Sequence, residues 1–264
     1  MTGGAPATAI IASRNEARLL ERRLPELAFC DEVIVIDIDS ADDTANVAEA
    51  HGARVVRHAF VPIAEIARIE VAREARHDWL VFIDPDEEIP AALADEATAF
   101  LADAPDDVAV VLAGWRFFFK GRPLQGTIWG GTGRRPFLIR RSAVSLSSAV
   151  HTTLSSIAPE FRVTEFEPKA DNVILHYWAT GYRDWLSKHR RYLRLEGKAR
   201  FDRGVITGYR DLGLKPWRAF RQCYVERRGY RDGLTGLTLS VLWAWYETAA
   251  TLELLRELQR RARS

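Results

Sequence analysis

Three nearly unbroken apolar runs, Ala7 to Ala12, Val33 to Ile36 and Trp79 to Ile83, lie in the first third of the chain, with stretches of helical spacing between them. A strand with one face in water alternates apolar and polar residues. Runs this continuous must be covered on both faces, as in the inner strands of a parallel sheet. The spacing predicts strand, loop and helix over Ala7 to Leu27, a second strand ending at Asp37, a third around Val55-Val56, a helix over Ile63 to Arg76 and a fourth strand running into Asp84. Strands alternating with helices give an α/β, doubly wound sheet, and such sheets bind ligands beyond the carboxyl ends of their strands. The acidic clusters Asp37 to Asp43 and Asp84 to Glu88 both follow strands, so both belong on that edge. Further strands are expected at Val108 to Leu112, Trp115 to Phe119 and Phe137 to Ile139, with a Gly-rich loop at Gly126 to Gly133.

From Tyr182 onward the pattern turns helical and basic. Residues 1–181 carry 18 Lys+Arg against 27 Asp+Glu, and residues 182–264 carry 19 against 9. The expected division is therefore an α/β domain with the ligand-binding edge, 1–181, and a basic helical extension, 182–264. Gly233 to Tyr246 is uncharged and Trp-rich, with Arg227, Arg228, Arg231, Arg256, Arg260 and Arg261 on its flanks. Such a helix is either core or lies in a membrane interface, and the charge points to an anionic surface as partner. Cys30 and Cys223 are the only cysteines, which gives no disulfide framework and no zinc pair. Met1 to Pro6 has no signal-peptide pattern, and no stretch is apolar enough for a confident membrane span. A cytoplasmic protein fits, peripheral on the inner membrane face if the tail binds lipid.

Phe82-Ile83-Asp84-Pro85-Asp86-Glu87-Glu88 carries the most chemistry. Two carboxylates one residue apart at the mouth of a buried strand can grip a hard divalent cation whose other positions are filled by diphosphate oxygens and water. The competing reading is that Asp84 caps a helix and the acids after it favour its positive end. Asp37 is placed to accept a hydrogen bond from a base or ribose, while Asp42 and Asp43 with Thr44 start the next helix. The Gly130-Gly131-Thr132-Gly133 loop lacks a Lys-Ser/Thr ending, and no strand-linked Gly-x-Gly-x-x-Gly occurs, which counts against ATPase and dinucleotide oxidoreductase readings.

Taken in order, Ser13-Arg14-Asn15-Glu16, Asp37 to Thr44, Arg68, Asp84-Pro85-Asp86-Glu87 and Val150-His151 resemble the inverting family-two glycosyltransferases, nearer to the bacterial branch that glycosylates lipopolysaccharide core. The resemblance covers roughly residues 7–200, and Gly229 to Gly233 extends it. It implies a GT-A fold, a nucleoside-diphosphate sugar donor with a UDP-sugar favoured, a Mg²⁺ or Mn²⁺ ion, and a glycan or glycolipid acceptor in cell-envelope biosynthesis, with no nucleic-acid partner. By position, Ala12, Ser13, Asn15, Glu16 and Asp37 would line the nucleoside pocket, and Arg68 would approach the phosphates. Asp84 would meet ribose or metal, Asp86 the metal, and His176 would complete the metal site. Read without the family, Arg68 is more often a solvated surface charge and His176 a satisfied core residue or a surface one. Relatives often carry Glu where this chain has Thr152, so the general base falls to His151 or to a carboxylate such as Glu160, or the acceptor needs little help. Two rivals keep the same residues: a nucleotidyltransferase and a non-catalytic sugar-nucleotide or glycan-binding protein.

Overall fold

The computed structural model describes residues 4–61, 63–146 and 154–263. The chain forms two compact units, one made of the chain up to Trp115 with Thr132–His176, the other of Arg116–Gly131 with Tyr177 onward.

The first unit begins with β1 (Ala5–Ser13), α1 (Ala17–Arg23), β2 (Cys30–Ile38), α2 (Thr44–Ala50), β3 (Arg54–His58), α3 (Ala64–Ala72) and β4 (Trp79–Ile83). The four strands are parallel in the order β3-β2-β1-β4. Their side chains alternate between two cores, which is why the runs are continuous. Ala7, Ala9 and Ile11 of β1, Val35 of β2 and Val81 and Ile83 of β4 pack with Leu20 of α1, Ala48 of α2 and, from the helix after Pro90, Leu93. Ile10, Ile34, Ile36, Leu80 and Phe82 point the other way, onto Ala67, Val71 and Ala72 of α3.

Beyond β4 come β5 (Glu87–Glu88), α4 (Ala91–Ala102), β6 (Val108–Phe119), β7 (Arg122–Pro123), β8 (Gly133–Arg140), β9 (Val144–Leu146), β10 (Leu154–Ile157), β11 (Arg162–Glu165) and β12 (Val173–Ala179). The sheet continues from β4 through β8, β6 and β12 to β5, and β4–β8 and β8–β6 are antiparallel. Two expected strands are one: β6 runs straight through Ala113-Gly114. Gly114 is not a break but a point of close approach, since a Cβ there would lie 2.5 Å from Val173 Cγ1. The helix expected over Ile63 to Arg76 is trimmed to α3, its last residues loosening into turns. β8 begins at Gly133, four residues before the apolar signal.

In the second unit β6 and β7 form a hairpin through Phe118↔Pro123 and Phe119↔Arg122. α5 (Tyr182–Asp202), α6 (Asp211–Arg221) and α7 (Gly233–Arg263) follow, with α7 packed on both others. Their core gathers Phe119, Trp178, Trp185, Leu239 and Tyr246, with Trp129 and Trp243 against it, which accounts for much of the tryptophan content. The carboxylate of Asp232 accepts the backbone N–H groups of Gln125 (2.8 Å) and Gly126 (2.7 Å), pinning the start of the Gly-rich loop. Along α7, Leu239, Tyr246, Ala250 and Leu254 are buried, while Leu234, Leu237, Val241, Trp245 and Leu252 are exposed. The helix is thus core on one side and an apolar stripe on another. Among the described residues no helix is long and apolar enough to cross a membrane. Cys30 and Cys223 are free and buried.

Candidate active site

Because β1, β2 and β4 are parallel, their carboxyl ends open on one edge. The register sets Ser13 beside Asp37 and Ile11 beside Ile83, so the loops that follow all three strands emerge together. Asn15 adopts a left-handed conformation at φ 57°. Its N–H donates to Ser40 Oγ at 3.0 Å and its Oδ1 accepts from the Ala41 N–H at 2.7 Å. The Ser40 N–H in turn donates to Asp37 Oδ1 at 3.1 Å, and Ser13 Oγ donates to Glu16 Oε2 at 3.3 Å. Ala12, Ser13, Asn15, Glu16 and Asp37 are therefore brought into one laced pair of loops, with Ala12, Ser13 and Asp37 buried at its floor. Asp42 is the local cap: its carboxylate accepts from the N–H and hydroxyl of Thr44, and from the N–H of Ala17, the first residue of α1. Asp43 occupies the N-cap position without a side-chain hydrogen bond.

The second cluster forms where β4 ends. The chain turns tightly at Asp84, the Glu87 N–H donating to Asp84 O at 2.9 Å, and then pairs as β5 with β12, Glu87 facing His176. No helix starts here: α4 begins only after Pro90, so Asp84 caps nothing. Arg68 is likewise no surface charge. It is 8% exposed, and one face of α3 turns it inward. Its Nη2 donates to Ile83 O at 2.8 Å and to Asp84 Oδ1 at 2.5 Å. On the other side Arg135 donates to Phe82 O at 2.8 Å and forms a short ion pair with the fully buried Glu87, whose second oxygen accepts the Asp84 N–H at 2.9 Å. Two guanidinium groups thus clamp the end of β4. Burial alone would raise the Asp84 pKa, but Arg68, Arg135 and His176 outweigh it and hold the carboxyl down at about 2.

His176 Nε2 lies 3.3 Å from Asp86 Oδ1, and the ring stacks on Trp115 at 5.1 Å and 13°. Burial disfavours its protonation, yet the hydrogen bond to Asp86 and the charges of Glu87, Asp86 and Asp84 prevail and raise its pKa. Among the described residues no group of three or more His, Cys, Asp or Glu is arranged to hold a metal ion, so Asp84, Asp86 and His176 do not form a three-ligand site by themselves. The Asp86–His176 pair nevertheless fits an ion: adjacent ligands of an octahedral cation with bonds near 2.1 Å stand about 3 Å apart. Two protein donors with the remaining positions open is the arrangement for an ion shared with a diphosphate. The structure thus assembles Arg68, Asp84, Asp86 and His176 in one place. His151 and Thr152 lie outside the described residues.

Glu87, Arg135 and Trp115 carry this cluster; in the sequence Glu87 reads only as part of the acidic run, Trp115 only as the start of a strand, and Arg135 only as one of four arginines, with Arg134, Arg140 and Arg141, that attract donor or acceptor phosphates or are solvated surface charges. Arg134 and Arg135 point to opposite faces of β8: Arg134 pairs with the exposed Glu165 at 2.9 Å, while Arg135 turns inward. Two-residue alternation extended back to Gly133 would have separated the two arginines.

The model of Glycosyl transferase family 2 matches residues 8–148, more than half of the chain. An uncharacterized glycosyltransferase of Rickettsia bellii (strain RML369-C) is 23% identical over 95% of this chain and 86% of that protein. The lipopolysaccharide core biosynthesis glycosyltransferase LpsC of Rhizobium meliloti (strain 1021) is 26% identical over 91% of this chain and 88% of its own. Among solved structures, the mannosyltransferase PcManGT of Pyrobaculum calidifontis, in complex with GDP-Man and Mn²⁺, aligns at TM-score 0.57 and 16% identity, covering 96% of this chain and 88% of that one. Glucosyl-3-phosphoglycerate synthase of Mycobacterium tuberculosis, in complex with Mn²⁺, UDP and phosphoglyceric acid, aligns at TM-score 0.50 and 18% identity, over 78% and 81%.

Proposed function

This chain belongs to glycosyl transferase family 2 and has the GT-A fold, and from that premise we propose that it moves a sugar from a nucleoside-diphosphate donor to a glycan or glycolipid acceptor with inversion at the anomeric carbon. The observation that carries this reading is the Asp86–His176 pair, 3.3 Å apart beside an Asp84 locked by Arg68. A Mg²⁺ or Mn²⁺ bound there would supply positive charge to a departing diphosphate. The residues around it do the positioning. Arg68 and Arg135 hold the Asp84 to Glu87 turn rigid, Trp115 fixes the plane of the His176 ring, and the loops bearing Ala12, Ser13, Asn15, Glu16 and Asp37 receive the nucleoside. With Oδ1 committed to Arg68, Asp84 meets ribose or metal through its remaining oxygen, and Arg68 acts on the phosphates through Asp84 as much as directly.

GDP-Man and UDP in the two structural neighbours support a sugar-nucleotide donor, and we favour a UDP-sugar. The likeness to LpsC supports a lipopolysaccharide-core or related envelope glycan as acceptor. Deprotonation of the acceptor hydroxyl falls to His151 or a neighbouring carboxylate such as Glu160, because Thr152 cannot act as a base. We assign residues 1–181 to donor binding and chemistry, and 182–264 to acceptor and anionic membrane contact on the cytoplasmic face, supported by the apolar stripe of α7.

Calorimetry with a hydrolysis-resistant UDP-sugar tests the reading. Binding is expected to require Mg²⁺ or Mn²⁺, and Asp86→Ala to weaken it at least about ten-fold, the order of a lost charged contact. Equal affinity with and without the ion removes the metal role. Turnover of a nucleoside triphosphate with pyrophosphate release would make the protein a nucleotidyltransferase. Donor binding without turnover across a broad acceptor panel would make it a binding protein.

A further inference from the structure

The C-terminal unit holds an open cleft of about 650 Å³ between α6 and α7, none of whose residues belongs to the site above. Its volume falls within the roughly 300–1,000 Å³ of small-molecule sites. Lys215, Trp217, Arg218 and Arg221 of α6 and Trp243 and Glu247 of α7 line it.

The charges in the cleft do not cancel. Lys215, Arg218 and Arg221 recur every three residues and so share one side of α6. Arg221 is neutralised by Glu226 at 2.8 Å, and Glu247 is taken by both terminal nitrogens of Arg200, at 3.1 and 2.7 Å. Lys215 donates to the hydroxyl of Thr207, at 3.1 Å, and the Arg218 side chain makes no hydrogen bond or ion pair with the described residues; the nearest countercharge felt by both is the Asp211 carboxylate, which is already held by the Thr207 hydroxyl at 2.9 Å and the Gly208 N–H at 3.0 Å. Two cations thus share one carboxylate, in a unit that already carries 22 Lys+Arg against 9 Asp+Glu. Such a concentration of one sign repels itself and attracts anions.

The aromatic groups are equally unfinished. Trp217 is 64% exposed on the rim, a large ring face left to water. The indole N–H of Trp243 in the wall is buried without an acceptor, and a buried donor of this kind calls for a partner. A ligand that answers all of these features carries a negative group for Arg218 and Lys215, a face of C–H groups to lie on an indole, and oxygens that accept hydrogen bonds. A sugar bearing an acidic substituent has all three.

The geometry points to a binding site for an anionic saccharide in the α6–α7 cleft, its phosphate or carboxylate at Arg218 and Lys215 and its ring on Trp217. As the place that grips the charged part of the acceptor, it rests on the transferase reading; as a binding site, it does not.

Ligand-observed NMR on the full chain tests it, with glucose 6-phosphate, glucuronate, glucose and inorganic phosphate as probes. Glucose 6-phosphate or glucuronate is expected to bind at least ten-fold tighter than glucose, and the stronger of the two says whether the anion is phosphate or carboxylate. Arg218→Ala and Trp217→Ala, both exposed changes, should each weaken that binding about five-fold or more. Arg191→Ala, an exposed arginine outside the cleft, should leave it unchanged, and all three variants should keep wild-type affinity for the UDP-sugar. Equal binding of charged and neutral sugars, indifference to Arg218→Ala, or inorganic phosphate binding as tightly as its sugar ester overturns the inference. So does a Trp217→Ala protein that loses phosphatidylglycerol vesicles while its sugar-phosphate affinity is intact, which would give this face to lipid. Failure of the wild-type protein to bind any donor sinks the transferase reading and leaves the saccharide measurements standing.

Discussion

At the scale of single residues, charge is arranged to hold one turn still. Glu87 is fully buried, ion-paired with Arg135 and 4.0 Å from Nδ1 of His176. Arg135→Ala therefore leaves a carboxylate in the core with the Asp84 N–H and the more distant His176 ring in place of its guanidinium, and should cost about 3 kcal/mol in urea unfolding. Arg135→Lys should recover only part of this, since one ammonium cannot serve both Glu87 and the Phe82 carbonyl as the forked guanidinium does. Asp84 titrates at about 2 in the fold against an ordinary 3.8. With the folded pKa depressed, its contribution to stability is complete above pH about 4 and is lost as pH falls through about 2. An acid titration followed by circular dichroism should show that loss in the wild-type protein, and Asp84→Asn should lack it.

At the scale of elements, β12 and β6 set the geometry of the ligand pair, and the helices beneath β1 do not. Gly114 lets Val173 approach, and Val173 stands three residues before His176 on the same strand, while Trp115, next to Gly114, stacks on His176. Gly114→Ala should cost about 1–3 kcal/mol as an overpacked contact, and should weaken metal-dependent donor binding more than this loss of stability explains. Leu93 of α4 is fully buried under the sheet. Leu93→Ala should cost a comparable or larger amount, about 2–5 kcal/mol, with donor affinity at 10 °C unchanged. Thermal melts and calorimetry on the two variants separate a strand that positions the site from a helix that only fills the core.

At the scale of the whole molecule the sign of charge divides with the compact units, 15 Lys+Arg against 27 Asp+Glu in the first and 22 against 9 in the second. On α7 the exposed Leu234, Leu237, Val241, Trp245 and Leu252 recur at intervals of three, four or seven residues, a stripe of about 27 Å. An apolar stripe on a basic body suits the interface of an anionic bilayer. The protein should co-sediment with phosphatidylglycerol vesicles and less so as salt is raised. Leu234→Glu with Val241→Glu, the two most exposed positions of the stripe, should abolish pelleting without lowering the melting temperature. Pelleting equally well with neutral phosphatidylcholine would remove the electrostatic part of the claim.

The sequence by itself determined the parallel half of the sheet, because strands buried on both faces need unbroken apolar runs, and it determined which loops share the carboxyl edge, because parallel strands all end on one side. It also marked Asp84 and Asp86, since local order and a strand end are enough to place them. Tertiary structure alone decided the rest. Arg68 reads as a surface charge until α3 is docked on β4, and His176 as a core or surface histidine until β12 pairs with β5 and brings it to Asp86. Arg135 reads as one arginine among four until the antiparallel pairing of β8 turns it inward. Contacts between residues 16 to 90 positions apart, as these are, depend on which elements become neighbours, and periodicity along a chain carries no information about that choice.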